Sequence, residues 1–179
     1  MQPQQRTGLT PAEASFARDT AVKHLSAEHP VTLRVVDAIP LDKGDYRPDA
    51  IAKSAVDLAW HIVAAEHRFM DAVVTGVFDY GKTGRPETLT TTSDISRWYA
   101  GTFEQDLRRI VALPAEHLAR PVDFRGIVTL PAVTFLMIGL KHSIHHRGQL
   151  SMYLRPMGAK VPAIYGESYD SAQAGKAPA

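Results

Sequence analysis

Apolar and polar residues along this chain alternate with a helical period. Four long segments carry apolar side chains at steps of three and four residues, a spacing that places them on one face of an α-helix. We predict helices over residues 11–28 with a continuation at 31–39, over 50–75, over 94–112, and from residue 130 or 131 to 157. No convincing strand pattern is present, and residues 115–128 are predicted to be irregular.

Local signals mark where these helices begin and end. Thr10, Pro11 and Glu13 predict a capping-box start for the first helix, with Phe16 among its inner residues. Pro30 predicts a kink or a break, because proline cannot donate a backbone N–H. For the following helices we expect a cap at Asp49, a stop at Gly76, and a cap at Thr92 or Ser93.

These elements predict an all-α fold in a single domain, a four-helix bundle whose unequal connections argue against a simple up-down-up-down order. Residues 1–9 are expected to form a flexible N-terminal arm, and residues 171–179 a flexible C-terminal tail. The bundle itself is expected to span residues 10–170.

Charge and composition narrow the function. The net charge of +1 gives no reason to expect binding to nucleic acid or to anionic membranes. No apolar run approaches the roughly 20 residues of a membrane span. The N-terminal residues are too polar for a secretion signal, so we expect a cytoplasmic protein. Cysteine is absent, which excludes disulfides, thiolate ligands and a cysteine nucleophile in this sequence.

The candidate chemistry lies in the last long segment. His142 and His146 are four residues apart on the same predicted stripe as Leu150, so one helix face presents two imidazoles. Together with His61, in the middle of the second long helix, they make a candidate facial metal site with an open position. Imidazole suits zinc, nickel, copper and iron.

Two alternatives stay open at this point. First, His61, His142 and His146 could be ordinary core or surface histidines that bind no metal. Second, His145 lies three residues from His142, so spacing alone does not separate it from His146, although it is rotated by about 100° from the stripe.

Several other residues have both a functional and a structural interpretation. Arg147 and Tyr165 are candidate catalytic residues. Arg147 could contact a substrate, or it could instead bond a nearby loop. Tyr165 could reach the open site, or it could instead pack against the bundle. Gln149 could contact a substrate amide, and Asp57 could orient His61. We expect the remaining histidines to lie at the surface: His24, His29, His67 and His117. We expect the two tryptophans, Trp60 and Trp98, to serve in packing rather than in function.

The end of the chain resembles the DinB-like family of metalloenzymes. The resemblance rests on the motif HxxxHRGQ from His142 to Gln149, on the following YLR from Tyr153, and on the VPAIYG turn that ends at Gly166. Upstream, residues 46–48 (YRP) and 58–61 (LAWH) look like the start of the family's second helix and its single histidine.

This resemblance implies a four-helix bundle with an unusual connection order, and a divalent metal, commonly zinc or nickel, held by His61, His142 and His146. It also implies a homodimer and, in some relatives, activation of a low-molecular-weight thiol. We therefore expect an enzyme that transfers an exogenous thiol to an electrophilic small molecule. The alternatives are a metal-water hydrolase on the same site and a non-catalytic metal- or ligand-binding bundle.

Overall fold

The computed structural model of the protein describes residues 8–81 and 84–174. Four long helices dominate it: α1 (Pro11–Asp37), α2 (Ala55–Thr75), α3 (Thr92–Val111) and α5 (Thr134–Leu154). Shorter elements connect them, namely a 3₁₀ turn (Leu41–Lys43), helix α4 (Ala115–Ala119), strands β1 (Pro121–Phe124) and β2 (Val128–Pro131), and helix α6 (Tyr169–Ala174).

The first helix confirms its predicted start and corrects its predicted course. The Thr10 hydroxyl accepts from the Glu13 N–H at 3.3 Å, and the Glu13 carboxylate accepts from the Thr10 N–H at 2.7 Å. The helix then continues through the exposed Pro30 without a break. One backbone bond is lost there, but core residues on both sides offset it: Ala14, Ala21, Leu25, Val31, Val35 and Val36. Phe16, predicted to face inward, is 75% exposed.

The second helix begins later than the sequence suggested. The Asp49 carboxylate accepts hydrogen bonds from the N–H groups of Ile51 and Ala52, both at 2.9 Å, and so closes a turn of its own. The helix is capped by Ser54, whose hydroxyl accepts from Asp57 N–H at 3.2 Å. Its predicted end is confirmed, because Gly76 adopts the left-handed conformation with φ of 86°.

The remaining boundaries differ in smaller ways. The third helix is capped by Thr91, which forms a capping box with Asp94. Residues 115–128, predicted to be irregular, contain α4, β1 and the hairpin turn, in which Arg125 and Gly126 both have positive φ. Strands β1 and β2 pair antiparallel, with Pro121 opposite Pro131. Four-residue strands are too short to show a clear alternating pattern, which is why the sequence did not predict them.

The hairpin also moves the start of α5 to Thr134, after the predicted position, and the helix ends at Leu154. This end lies three residues before the predicted one at 157, and Gly158, with φ of 79°, follows it. Helix α6 includes residues 171–174 of the predicted tail, whereas residues 1–7 of the predicted arm at 1–9 and residues 175–179 lie outside the described part of the chain.

Each long helix packs against two others. Helix α2 lies between α5 and α3, and α1 contacts the same two helices from the opposite side. The shared core is aliphatic and aromatic and includes Ile62, Ile95, Phe135 and Leu150. The α2–α5 contact is the most extensive, and it carries the candidate ligands. Among the described residues, no helix is long and apolar enough to cross a bilayer.

Candidate metal centre

Helices α2 and α5 bring three imidazoles together. His61 lies in α2, and His142 and His146 lie one turn apart in α5, so the two α5 rings face the same neighbouring helix. The Nε2 atoms of His61 and His146 are 3.2 Å apart. One ligand atom from each of the three residues lies within 4.8 Å of the others.

Electrostatics keep two of these rings neutral. Burial, together with the nearby His146, lowers the pKa of His61 to about 4. Burial likewise lowers the pKa of His142 to about 4, with further contributions from the neighbouring histidines. At neutral pH both rings therefore carry a nitrogen lone pair, which is the form that binds a metal ion.

The third ring has a partner that sets its tautomer. The Nδ1 atom of His146 lies 2.6 Å from the Oε1 atom of Gln149, one turn further along α5. An amide oxygen only accepts, so Nδ1 of His146 donates, and its Nε2 atom carries the lone pair toward His61. This is the arrangement by which outer residues orient metal-binding histidines.

The residues fit a divalent ion. Two nitrogens that bind one tetrahedral ion at about 2.0–2.1 Å lie roughly 3.3 Å apart, and the His61–His146 separation of 3.2 Å agrees with this. The buried Nδ1 atom of His142 has no hydrogen-bond partner among the described residues. His145 is exposed and stays outside the cluster, although its ring centroid is 4.9 Å from that of His146.

Two clefts reach the histidine cluster, one at His61 and the other at His146. One has a volume of about 320 Å³ and is lined by His61, Lys53, Arg47 and Arg85. The other has a volume of about 450 Å³ and is lined by Lys53, by His146 and by further residues, among them Gln149 and Tyr153. Lys53 contributes to both walls. A ligand could therefore approach the imidazoles between basic side chains.

Asp57 belongs to the wall of the first cleft. Its carboxylate accepts from the Ser54 hydroxyl at 2.6 Å and pairs with Arg47 and Arg85, both at 3.6 Å. The Asp57 carboxylate therefore holds the two arginines in place. These contacts do not support the prediction that Asp57 orients His61.

The structure places Arg147 and Tyr165 together, but on the side of α5 that faces α1. The Arg147 side chain is 1% exposed, and its guanidinium contacts the Glu28 carboxylate at 2.6 Å and the Thr32 hydroxyl at 3.2 Å. It also donates to the Tyr165 hydroxyl at 2.7 Å, and the Tyr165 residue is 69% exposed. These contacts connect the returning loop to α1 and α5. A catalytic role for either residue stays a prediction.

Sequence reasoning missed the polar cluster around Asp106. His67, predicted at the surface, lies 2.6 Å through Nδ1 from the carboxylate of Asp106, which is 1% exposed. A signal for it exists in the sequence, because Tyr99, Phe103, Asp106 and Ile110 share one helical stripe. An acidic residue on an otherwise apolar stripe requires a buried partner.

The sequence as a whole is similar to known proteins. The family model described as "DinB family" matches residues 12–177. The uncharacterized protein YjoA of Bacillus subtilis (strain 168) is 27% identical over 139 residues, which are 76% of this chain and 88% of that protein.

Solved structures show the same fold. The crystal structure of the DinB-like protein YjoA from B. subtilis superimposes with a TM-score of 0.68 at 25% identity, over 83% of this chain and 99% of that one. A DinB-like protein from Bacillus cereus ATCC 10987 gives a TM-score of 0.69 at 22% identity, over 82% of this chain and 97% of that one. With its motif, its fold and a family match across nearly its whole length, the chain belongs to the DinB family.

Proposed function

We propose that the protein is a divalent-metal-dependent enzyme that transfers an exogenous low-molecular-weight thiol to an electrophilic small molecule. The observation that supports this function is the convergence of His61, His142 and His146 beside two clefts, of which one is lined by His61 and the other by His146. Three imidazoles suit zinc or nickel and leave a coordination position for a ligand. This open position is what distinguishes a catalytic site from a closed structural one.

A divalent ion held there would supply one kind of chemistry, which is to lower the pKa of a thiol or water that reaches it. The chain contains no cysteine, so the thiol must come from solution. Its sulfur would form a bond to the electrophilic carbon. The leaving group would depart with the electron pair of the bond that breaks, and the thiol proton would pass to solvent.

The chain's own residues prepare this reaction. Gln149 holds the tautomer of His146, and burial keeps His61 and His142 unprotonated at neutral pH. Lys53 lies on both cleft walls, and its charge is close enough to contribute to the lowered pKa of His61. A cation in that position favours a substrate that carries negative charge near its reacting end.

The packing supports the finer description of the fold as a four-helix bundle with non-sequential connectivity. Helices α1 and α2 follow each other in the chain, yet each packs mainly against α3 and α5. In an up-down-up-down bundle, successive helices would be neighbours. The order α1, α5, α2, α3 around the bundle supports the unusual connection order that the family resemblance implies.

Metal content tests the first half of the proposal. Protein purified without a histidine tag should contain about one zinc or nickel ion per chain. The variants His61→Ala and His146→Ala should lose it, whereas His24→Ala, at an exposed histidine in α1, should not. A chelator should lower the melting temperature of the wild type and leave that of His142→Ala unchanged. Absence of metal after incubation with zinc, nickel and manganese would overturn the metal site.

Turnover tests the second half. The metal-loaded protein should accelerate formation of a thioether from N-acetylcysteine or glutathione and an activated aryl halide, and His146→Ala should not. Hydrolysis of a nitrophenyl ester without thiol would instead favour the metal-water hydrolase. A filled site without turnover of either substrate class would favour a non-catalytic metal-binding protein.

Two further expectations belong to the proposal. The homodimer and the cytoplasmic location remain predictions that rest on the family resemblance and on the composition. Sedimentation equilibrium of the full chain would test the first, because a monomer at micromolar concentration would contradict it.

A further inference from the structure

A second cluster of titratable side chains lies further along α2, away from the three histidines. The Nδ1 atom of His67 is 2.6 Å from the Asp106 carboxylate, which comes from α3 and is almost completely buried. Asp106 also pairs with Arg109 at 3.2 Å. An acceptor-only carboxylate at Nδ1 means that this nitrogen donates, so the Nε2 atom is the one left for another partner.

His67 lines a cleft of about 260 Å³ between α2, α3 and the segment that follows α2. Its side chain is 36% exposed, so a ligand can reach it. Both tryptophans of the chain, Trp60 and Trp98, line the same cleft, with ring centroids 4.9 Å apart. The Trp98 ring is also edge-on to His67 at 5.6 Å. The cleft therefore combines flat apolar surfaces with one orientated imidazole.

Charged side chains of both signs line the cleft. Arg68 contributes a guanidinium to the wall. Of the two acidic residues there, Asp71 is paired with Arg109 at 2.8 Å, and Asp79 accepts from the Gly81 N–H at 2.7 Å. Both carboxylates thus have partners within the protein, and His67 and Arg68 are the basic residues of the lining.

This cleft adjoins the one that His61 lines. Trp60 and Gly84 line both, and His67 is six residues after His61 in the same helix, which is about 9 Å along the axis. A molecule of moderate size could occupy both clefts at once. The second cluster nevertheless rests on contacts of its own and does not require a metal ion.

We propose that His67, backed by the buried Asp106 and flanked by Trp60 and Trp98, binds the carboxylate of an aromatic small molecule. The ring of the ligand packs against the tryptophans, and the Nε2–H group of His67 donates to the carboxylate. In relation to the proposed function, this is where the non-reacting end of an aromatic acid would be held. The cleft at His61 would receive its reactive end.

Binding of a carboxylate should be linked to protonation of His67. The groups that face this ring are Arg68 and Asp71 from α2, Asp106 and Arg109 from α3, and Asp79 from the following segment. The hydrogen bond to Asp106 is the main reason why the pKa of His67 is raised. Above that pKa, binding must take up a proton, so the dissociation constant should rise by up to tenfold per pH unit.

The tryptophans supply the measurement. Because both line this cleft, intrinsic fluorescence excited at 295 nm reports on its occupancy. We would titrate the full chain with benzoate and with its neutral counterpart, benzamide. We expect benzoate to bind about tenfold more tightly at pH 6 and to lose this preference at high pH. His67→Gln should bind both equally, whereas His24→Gln, at an exposed histidine in α1, should behave as the wild type.

The same titration on chelator-treated protein and on His146→Ala separates this proposal from the metal site, since benzoate binding should persist in both. Equal affinity for the two probes in the wild type, or quenching by neither, would overturn the carboxylate site. So would a preference for benzoate that survives in His67→Gln. Should that variant fold poorly, the loss of preference with rising pH in the wild type decides the question alone.

Discussion

Phe69 packs directly against the backbone of Gly139. A Cβ atom built on Gly139 would lie 2.7 Å from the Cβ atom of Phe69, so α2 and α5 could not approach as closely with any other residue there. Gly139 is in α5 one turn before His142, and Phe69 is in α2 two turns after His61. This contact therefore helps to set the separation of the two helices at the metal centre.

Gly139→Ala should push these helices apart. We expect it to lower the free energy of unfolding by about 1–3 kcal/mol, the usual cost of overpacking a core, and to weaken metal binding. Gly148→Ala, in the same helix but with no atom within 4 Å of the added methyl group, is the matched control. It should stabilise the protein by about 0.5–1 kcal/mol. Urea unfolding of both variants would show the difference, and equal effects would contradict the close contact.

Gln149 should matter for the metal without touching it. Gln149→Leu removes the acceptor that fixes the tautomer of His146, and we expect metal affinity to fall about 10–100-fold. Competition with a chromophoric chelator measures this fall. Gln105→Leu, at an exposed position of α3, should leave the affinity unchanged. Unaltered affinity in Gln149→Leu would mean that the hydrogen bond does not orient the ring.

His67 should make stability depend on pH above about 6.5. Its pKa is raised in the folded protein, mainly by the hydrogen bond to Asp106, so folding is favoured by the protonated ring. This contribution is fully present below the unfolded pKa of about 6.5 and is lost as the pH rises through the folded pKa. His61 and His142 have lowered pKa values, so they change the stability only below pH 6.5 and do not affect this measurement.

Asp106→Asn tests this linkage. The variant should lose about 1–3 kcal/mol at pH 6, because the charge-assisted hydrogen bonds from His67 and Arg109 to the buried carboxylate are replaced by weaker bonds to a neutral amide. It should also lose less stability than the wild type between pH 6.5 and 9. Urea unfolding across that range supplies the comparison, and parallel curves for both proteins would disprove the role of His67.

Arg147 and Tyr165 can be separated by their effects on stability and on rate. Arg147→Met leaves the Glu28 carboxylate without its buried partner, so we expect a loss of about 3–5 kcal/mol. Tyr165→Phe removes one hydrogen bond at a largely exposed ring and should cost about 1 kcal/mol. If Tyr165 takes part in catalysis, kcat of this variant should fall more than tenfold while its melting temperature barely changes.

The periodicity of the sequence was sufficient to predict the long helices and the residues that converge between them. His142 and His146 meet because helical geometry alone places them on one face, and the family motif pointed to His61. The capping box at Thr10 is equally local. Where the prediction depended on competition between local signals it was wrong, as at Asp49, whose side chain closes a turn instead of capping α2.

Features that depend on contacts distant in sequence were not predictable in the same way. The pairing of His67 with Asp106 joins residues 39 positions apart. The passage of α1 through Pro30 depends on core contacts on both sides of the proline. The exposure of Phe16 depends on how α1 is rotated against α3 and α5.

The burial of Arg147 has a consequence for how the metal centre can change. His146 and Arg147 are adjacent, so α5 cannot turn about its own axis to adjust one side chain without moving the other. Helix α1 supplies both Glu28 and Thr32 to the guanidinium, and these contacts hold α5 in one rotation about its axis. Engineering of the coordination geometry could therefore begin in α1, at side chains that contact the guanidinium and leave the ligands themselves intact.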